Sequence, residues 1–553
     1  MPDADARVTA ALDAAVVRSW ARLAAGALGR ERDAIDHVNV FPVADGDTGT
    51  NMHLTAREGA RSVAAAPDDA GAAALLRRLA RGALLGARGN SGVILSEWLR
   101  GLAVAATRGD TLARALDVAA GTARTAVAHP EPGTILTAAD VAAAAAHDVA
   151  ARPGARADDV LEAAVRGARE AALSSVDTLA PLARAGVLDA GACGLVLVLD
   201  ALRVARRFAT APGPEPAERA GVSVATTSML AVMPVTLGLE MTGHDTAHAD
   251  AVEPGPWTPP GGHQGVPWGA DELEVMFVLR RPAGADEFPD GGVADTLRAD
   301  LATVGGSVVV VGGADLGSDE DSAWQAHVHT PDLGAALAVA RRWAGRGRVE
   351  PVHVRHLAVP DAGLVVVAST DAPALAAELA RAGAVVLVPV APVGVHARDL
   401  ALAAVGAGPR TVLVLRNGGQ AVEPAVRRLA AEHEAEDGAP PGVVVLDTPT
   451  DVHAAVVVAV LAAAADDPQA DVAQAVRDAL GGLRAAATDA DDAEDALRAL
   501  LDGGGEVVTL LADDLVRPEL VAELADVADE RGAECVLLRT GRAGTGVAIG
   551  VEG

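Results

Sequence analysis

Two carboxylates two residues apart mark the most chemically loaded stretch of the chain, Asn39-Val40-Phe41-Pro42-Val43-Ala44-Asp45-Gly46-Asp47-Thr48-Gly49-Thr50-Asn51-Met52. In an extended loop, residues two apart point the same way, so Asp45 and Asp47 can converge on one hard cation. Gly46 and Gly49 allow tight turns, and the amides of Thr48 to Asn51 can open a helix that faces phosphate. An Asp-rich helix-capping turn is the plainer reading of the same residues. A calcium loop counted from Asp45 would need Asp or Asn, Gly and Glu where Gly49, Thr50 and Ala56 stand, so that chemistry is excluded.

A second segment, Gly86-Ala87-Arg88-Gly89-Asn90-Ser91-Gly92-Val93-Ile94-Leu95-Ser96, is a Gly-rich turn between two helical stretches. Free backbone N–H groups, a helix dipole and Arg88 make it an anion site, or else an interhelical loop with a Ser cap. It is not a nucleophile elbow, because Val93 stands where the second Gly of Gly-x-Ser-x-Gly is required. Pro132-Gly133-Thr134-Ile135-Leu136-Thr137 and Ala185-Gly186-Val187-Leu188-Asp189-Ala190-Gly191-Ala192-Cys193-Gly194 read, taken singly, as helix starts. Further on, His327-Val328-His329 lies on an expected strand, which puts both imidazoles on one side in a geometry that suits a metal ion. Gly544 to Gly550 has the wrong spacing for a dinucleotide loop and no room for the helix that must follow one.

Composition removes whole classes of function. The chain has 553 residues and 45 cationic side chains, every one of them Arg, and it has no Tyr. Without Lys there is no Walker A loop, no protein-kinase strand lysine and no Schiff-base chemistry. A net charge of −30 argues against nucleic acid or an anionic membrane surface as partner. Two cysteines, Cys193 and Cys535, make neither a disulfide framework nor a Cys-rich zinc site. No signal peptide is indicated, and the most apolar segment, Ala454 to Ala465, is too short to span a bilayer. The expectation is a cytoplasmic protein without an integral membrane segment.

The elements that must position these residues follow from periodicity. Apolar residues recur at helical spacing in Val8–Leu28, Ala72–Leu85, Val93–Ala106, Leu112–Ala128, Ala138–Ala150, Val160–Ala172 and Leu195–Phe208, so residues 1–208 read as an all-α domain. Residues 209–270, rich in Pro, Gly and His, read as a linker and partly irregular segment. Over residues 271–358 the order strand–helix–strand–strand–helix–strand predicts an α+β, ferredoxin-like domain. Residues 359–553 alternate β-branched runs with Ala-rich helices, as in a C-terminal α/β domain with a parallel sheet. The acidic stretch Ala486–Ala496 reads as a solvated helix or loop.

Taken together and in order, the four helical segments resemble the Dak2 (DhaL-type) domain found in the ATP-binding subunits of the fatty acid kinase family, relatives of dihydroxyacetone kinase. The family pattern, Asn-Val-Phe-Pro-Val-x-Asp-Gly-Asp-Thr-Gly-Thr-Asn-Met, then Gly-Ala-Arg-Gly-Asn-Ser-Gly-Val-Ile-Leu-Ser, Gly-Thr-Ile-Leu-Thr and Gly-x-x-Asp-Ala-Gly, is matched nearly position for position over residues 39–194. The resemblance implies an antiparallel helical barrel whose end loops hold ATP through two Mg²⁺ ions. Asp45 and Asp47, the expected catalytic pair, would ligate the metals with Asn39. Thr48, Asn51, Gly89, Asn90, Ser91, Gly92, Thr134, Ile135, Leu136, Asp189 and Gly191 would contact the nucleotide. Such a site dispenses with Lys, since metals and backbone amides offset the phosphate charge.

In the family a separate DegV-type protein carries the fatty acid, and the C-terminal regions are associated with homodimerisation and partner docking. A Tyr-Cys-Thr-Glu-Phe strand of the family is linked there, with His-Val-His, to a metal site. Here Leu273-Glu274-Val275-Met276-Phe277 puts Glu274 in place of Cys, leaving Glu274, His327 and His329 as a candidate zinc set. The C-terminal Gly-Gly-Gln-Thr-Met-Asn-Pro and Leu-Pro-Asn-Asn signatures are not intact. The implied function is an ATP-dependent phosphotransferase acting on a fatty-acid carboxylate to give acyl phosphate, in the service of phospholipid synthesis. A kinase of a small polyol or ketone, with His37 or His53 holding the substrate, and a non-catalytic nucleotide-binding regulator are the alternatives.

Overall fold

The structure is a computed structural model that describes residues 7–42, 46–128, 130–210, 272–282, 292–313, 322–357, 364–406, 411–416, 422, 424–426, 428, 442–464 and 471–553. Asp45 lies outside the described residues, as does the expected linker 209–270 apart from its first two positions. The chain divides into two compact units, residues 1–269, 282–298 and 307–327 in the first and 270–281, 299–306 and 328–553 in the second.

The first unit is helical at its N-terminal side, as periodicity predicts: α1 (Val8–Ala11), α2 (Ala14–His37), α3 (Thr48–Ala64), α4 (Ala72–Gly86), α5 (Gly89–Arg108), α6 (Leu112–Ala126), α7 (Ile135–Ala150), α8 (Ala157–Thr178), α9 (Ala180–Ala185) and α10 (Ala190–Thr210). Side chains start several of them: the carboxylate of Asp13 accepts from Val16 N–H at 2.9 Å, and Thr111 and Thr134 cap α6 and α7. Such caps satisfy backbone donors that have no partner within the helix. Each long helix packs on the next, and α10 packs on both α8 and α2, so that α2–α8 and α10 close into a ring. Its interior is Ala- and Leu-rich, with Trp20 and Trp98 edge-to-face at 6.5 Å and the Trp20 indole donating to Val198 O at 3.0 Å. The buried indole N–H is thereby satisfied.

Beyond the helices come β1 (Leu273–Arg281), α11 (Gly292–Ala302), β2 (Gly306–Gly313), β3 (Ser322–Thr330), α12 (Leu333–Ala344), β4 (Arg348–Val349), β5 (Val352–His356), β6 (Leu364–Ser369), α13 (Pro373–Arg381), β7 (Ala384–Val388), α14 (Ala397–Gly406), β8 (Thr411–Arg416) and β9 (Gly442–Asp447). Strands β1 to β9 share one sheet in the order β2-β3-β1-β5-β7-β6-β8-β9, with β4 beside β1. This sheet is mixed: within the C-terminal region β6 runs parallel to β7 and β8, and β8 to β9, while β7 pairs antiparallel with β5 of the middle region. Helix α13 makes the crossover that joins the parallel strands β6 and β7.

The rest of the chain adds α15 (Asp451–Ala464), α16 (Val472–Gly482), β10 (Arg484–Asp489), α17 (Ala493–Leu501), β11 (Val507–Ala512), α18 (Pro518–Glu530), β12 (Glu534–Arg539) and β13 (Gly546–Glu552). A separate four-stranded sheet has the order β10-β13-β11-β12, with β13 antiparallel to both neighbours and β11 parallel to β12. The acidic stretch Ala486–Ala496, expected as a solvated helix or loop, is strand β10 as far as Asp489 and helical from Ala493. The glycine run excluded above as a dinucleotide loop leads into strand β13, whose Val547, Ile549 and Val551 alternate into the core.

Candidate nucleotide site

The site is built at one end of the helical ring, where the described parts of the four segments meet. After Gly46, whose φ of +62° only Gly adopts readily, Asp47 leads into α3. Its Oδ1 accepts from Asn51 Nδ2 at 2.7 Å, one helical turn on. Asn39, Thr48 and Asn51 are all buried. Thr50 gives its N–H to Asp36 Oδ1 at 3.0 Å and its hydroxyl to Asp36 Oδ2 at 2.7 Å. Burial raises the Asp36 carboxyl above its ordinary value and the charge of Asp47 adds to this, against the bonds from Thr50 and Gly49. Asp36 therefore caps α3 from the end of α2. Gly49 is held so close to α2 that a Cβ would stand 2.9 Å from Ile35 Cβ and 3.0 Å from Asp36 Oδ1.

The second segment rests on this same face of α3. A Cβ on Gly89 would lie 2.9 Å from Asn51 Cγ, and Gly89 adopts φ +55°. One on Gly92 would meet Asn51 O at 3.2 Å. Thr55 joins the two segments: its hydroxyl donates to Asn51 O at 2.7 Å and accepts from Arg88 N–H at 3.3 Å. The glycines are thus explained by the close approach of α5 to α3. Arg88, which precedes α5, provides no side-chain cap. Asn90 and Ser91 stand half-buried in the first turn, and Asn90 Oδ1 is a buried acceptor without a hydrogen bond among the described residues. A long helix opening with uncapped amides is suited to an anion.

The third and fourth segments close against each other. Thr134 caps α7, its hydroxyl donating to Glu131 O at 2.9 Å, and Ile135 and Leu136 are buried. A Cβ on Gly191 would be 3.1 Å from Ile135 Cβ. Asp189 receives the Ala192 N–H at 2.7 Å and a bond from Ile135 N–H, while its own N–H donates to Ser175 Oγ at 2.9 Å. One carboxylate therefore holds the starts of both α7 and α10. Full burial raises its pKa to about 7, outweighing the two backbone bonds that lower it. Burial, with Asp189 beside it, pushes the Cys193 thiol up to about 12. Gly194 brings α10 onto α3, since a Cβ there would reach Met52 Cε at 2.6 Å.

Sequence reasoning passed over Asp36, Thr55 and Ser175. Only Thr55 had a local signal, one turn beyond Asn51 on the same helix face. His53, considered as a substrate holder, is buried with its Nδ1 3.0 Å from Ala25 O and its ring against Gly29 of α2, whereas His37 is exposed at the end of α2. In the sheet, Glu274, His327 and His329 are buried, with one potential ligand atom from each within 4.8 Å of the others. Arg355 ion-pairs with Glu274.

Residues 42–204 match a family model described as DAK2 domain. Protein YloV of Bacillus subtilis is 28% identical over 347 residues, covering 60% of this chain and 54% of that protein. A Staphylococcus saprophyticus protein is 36% identical over 179 residues, 31% of this chain and 32% of its own length. The chain thus spans about half of YloV and a third of the staphylococcal relative. Among solved structures, dihydroxyacetone kinase from C. freundii in complex with AMP-PNP and Mg²⁺ is 21% identical over 34% of each chain, with a TM-score of 0.28. Among the described residues no helix is long and apolar enough to cross a membrane.

Proposed function

We propose that this chain, whose residues 42–204 match the DAK2 domain model, is the ATP-binding catalytic component of a kinase that phosphorylates the carboxylate of a fatty acid presented by a DegV-type protein. The observation that carries the reading is the convergence of four sequence-distant segments through Asp47–Asn51–Gly89, Gly191–Ile135 and Gly194–Met52. The closed sequence of helix neighbours supports the DhaL-like barrel, and the strand order β5-β1-β3-β2 supports a ferredoxin-like middle region.

The donor set fits magnesium: Asp47, with Asp45 two residues before it and Asn39 nearby in sequence, offers only hard oxygen ligands. When bound, Mg²⁺ neutralises and orients the phosphates. The chain's own groups do the rest. Asn51 holds Asp47 in place, the opening amides of α5 face the phosphates, and Asn90 Oδ1 is available to a hydroxyl or a water of the bound nucleotide. A carboxylate acceptor is ionised at about pH 7 and needs no general base, so catalysis reduces to alignment and charge compensation. A void inside the ring beside Trp20 and Leu99 offers only about 10 Å³. An acyl chain does not fit in that void.

The test is γ-phosphate transfer from ATP·Mg²⁺ to a fatty acid, with and without a lipid-loaded DegV-type protein, acyl phosphate being trapped as hydroxamate. Carrier-dependent product that disappears in Asp45→Ala and Asp47→Ala is expected. Tight ATP binding with no hydroxamate would refute the acceptor. A second reading concerns Glu274, His327 and His329, whose mutual approach fits a zinc ion if Arg355 yields Glu274. Metal analysis of the full chain and of His327→Ala tests it; equal zinc contents would reject it.

A further inference from the structure

The loop that opens α5 is also held from outside the DAK2 domain. The buried Gln325 of β3 gives its Nε2–H to Ala87 O at 2.9 Å. Ala87 is wholly buried, and the next amide, Arg88 N–H, is the one bound by Thr55. The Ala87–Arg88 peptide is therefore fixed on one side by α3 and on the other by β3, immediately before the residues that face the phosphates. Two further bonds fasten the same β2–β3 pair to the helices. Gly312 N–H donates to Glu97 Oε1 at 3.1 Å, on the α5 helix itself, where Arg100 also binds Glu97 at 2.8 Å. Val309 bridges antiparallel to Val127, in the connector that leads into the third segment.

We propose that Gln325 is a positioning residue of the nucleotide site, setting the Ala87–Arg88 peptide so that the first amides of α5 meet the phosphates. The inference rests on the nucleotide reading above. Its physical basis is that Ala87 O accepts from two donors, Gln325 Nε2 at 2.9 Å and the Arg88 guanidinium at 3.2 Å, so that loss of Gln325 leaves the carbonyl to Arg88 alone and lets it tilt that way. The loop would follow it.

The test is equilibrium binding of ATP·Mg²⁺ to the full chain, wild type against Gln325→Ala and Gln325→Glu, at pH 6 and pH 8. Loss of one buried hydrogen bond corresponds to about a tenfold rise in Kd for Gln325→Ala at both pH values. Gln325→Glu provides the diagnostic readout. Ionised, its carboxylate opposes the carbonyl and weakens binding by tenfold or more; protonated, it donates again, so affinity recovers toward pH 6 while the wild type shows no matching change. Hydrogen exchange of the 86–92 amides should speed up in Gln325→Ala with unchanged exchange in α8. If wild type binds ATP·Mg²⁺ and both variants stay within twofold of it, the positioning role is overturned. If wild type binds none, the nucleotide reading itself fails and this inference with it. Weaker binding of Gln325→Glu without recovery at pH 6 would also overturn the role, marking the loss as packing damage.

Discussion

Replacing Asp189 by Asn should change how stability depends on pH, and the size of the change follows from where the carboxyl sits. Asp189 is fully buried and its pKa rises from 3.8 to about 7. Below 3.8 the group is protonated in both folded and unfolded chains and burial costs nothing. As pH climbs, the unfolded chain releases the proton while the folded one keeps it, so this contribution to stability is lost progressively and is gone above about 7. At 1.36 kcal/mol per tenfold, the full loss is about 4 kcal/mol, an upper figure that relaxation and water entry reduce. Asn cannot ionise and carries no such penalty, although it loses one of the bonds from Ala192 or Ile135 N–H at every pH. That constant loss cancels when two pH values are compared. Urea unfolding of the helical unit at pH 5 and pH 8, followed by the buried Trp20 and Trp98, should show Asp189→Asn gaining on the wild type by about 2–3 kcal/mol between them. Parallel pH dependence for the two proteins would refute the raised pKa and the account of Asp189 as a buried neutral helix clamp.

Three other perturbations are sharp enough to test. Gly89→Ala forces a Cβ into Asn51 at a residue with φ +55°, so ATP·Mg²⁺ affinity measured by calorimetry should fall at least about tenfold. Gly194→Ala wedges α10 from Met52 of α3 and should lower unfolding stability by about 1–3 kcal/mol, with no change taken as evidence against that contact. Arg542 ties Asp371 and Asp451 together near Asp513, and Arg542→Ala leaves these carboxylates facing one another. The thermal transition of the second unit should drop by about 2 kcal/mol equivalent, and the drop should shrink at low pH as the carboxylates protonate.

Much of the candidate site was legible because its signals are local. Asp47 and Asn51 lie one helical turn apart, and Gly46 at φ +62° marks the turn before them. The glycines at 89 and 92 were noticed for a loop that wraps phosphate, yet their neighbours are Asn51 and Thr55, which no spacing within the loop reveals. Asp36 was invisible for the same reason: it belongs to α2 and acts on α3. In the sheets, β13 hid behind its glycines and β10 behind its alanines, residues with little strand preference of their own.

The sequence by itself determined the helical N-terminal region, the order of the four segments and the exclusion of lysine chemistry, because periodicity and residue type act over a few positions of chain. Tertiary structure alone decided that the sheets are mixed, that Asp189 clamps two helices and that Gln325, 238 residues from Ala87, supports the second loop. Hydrogen bonds of that kind are specified by which surfaces come together, and a lone buried Gln on a strand carries no trace of its partner until the chain has folded around it.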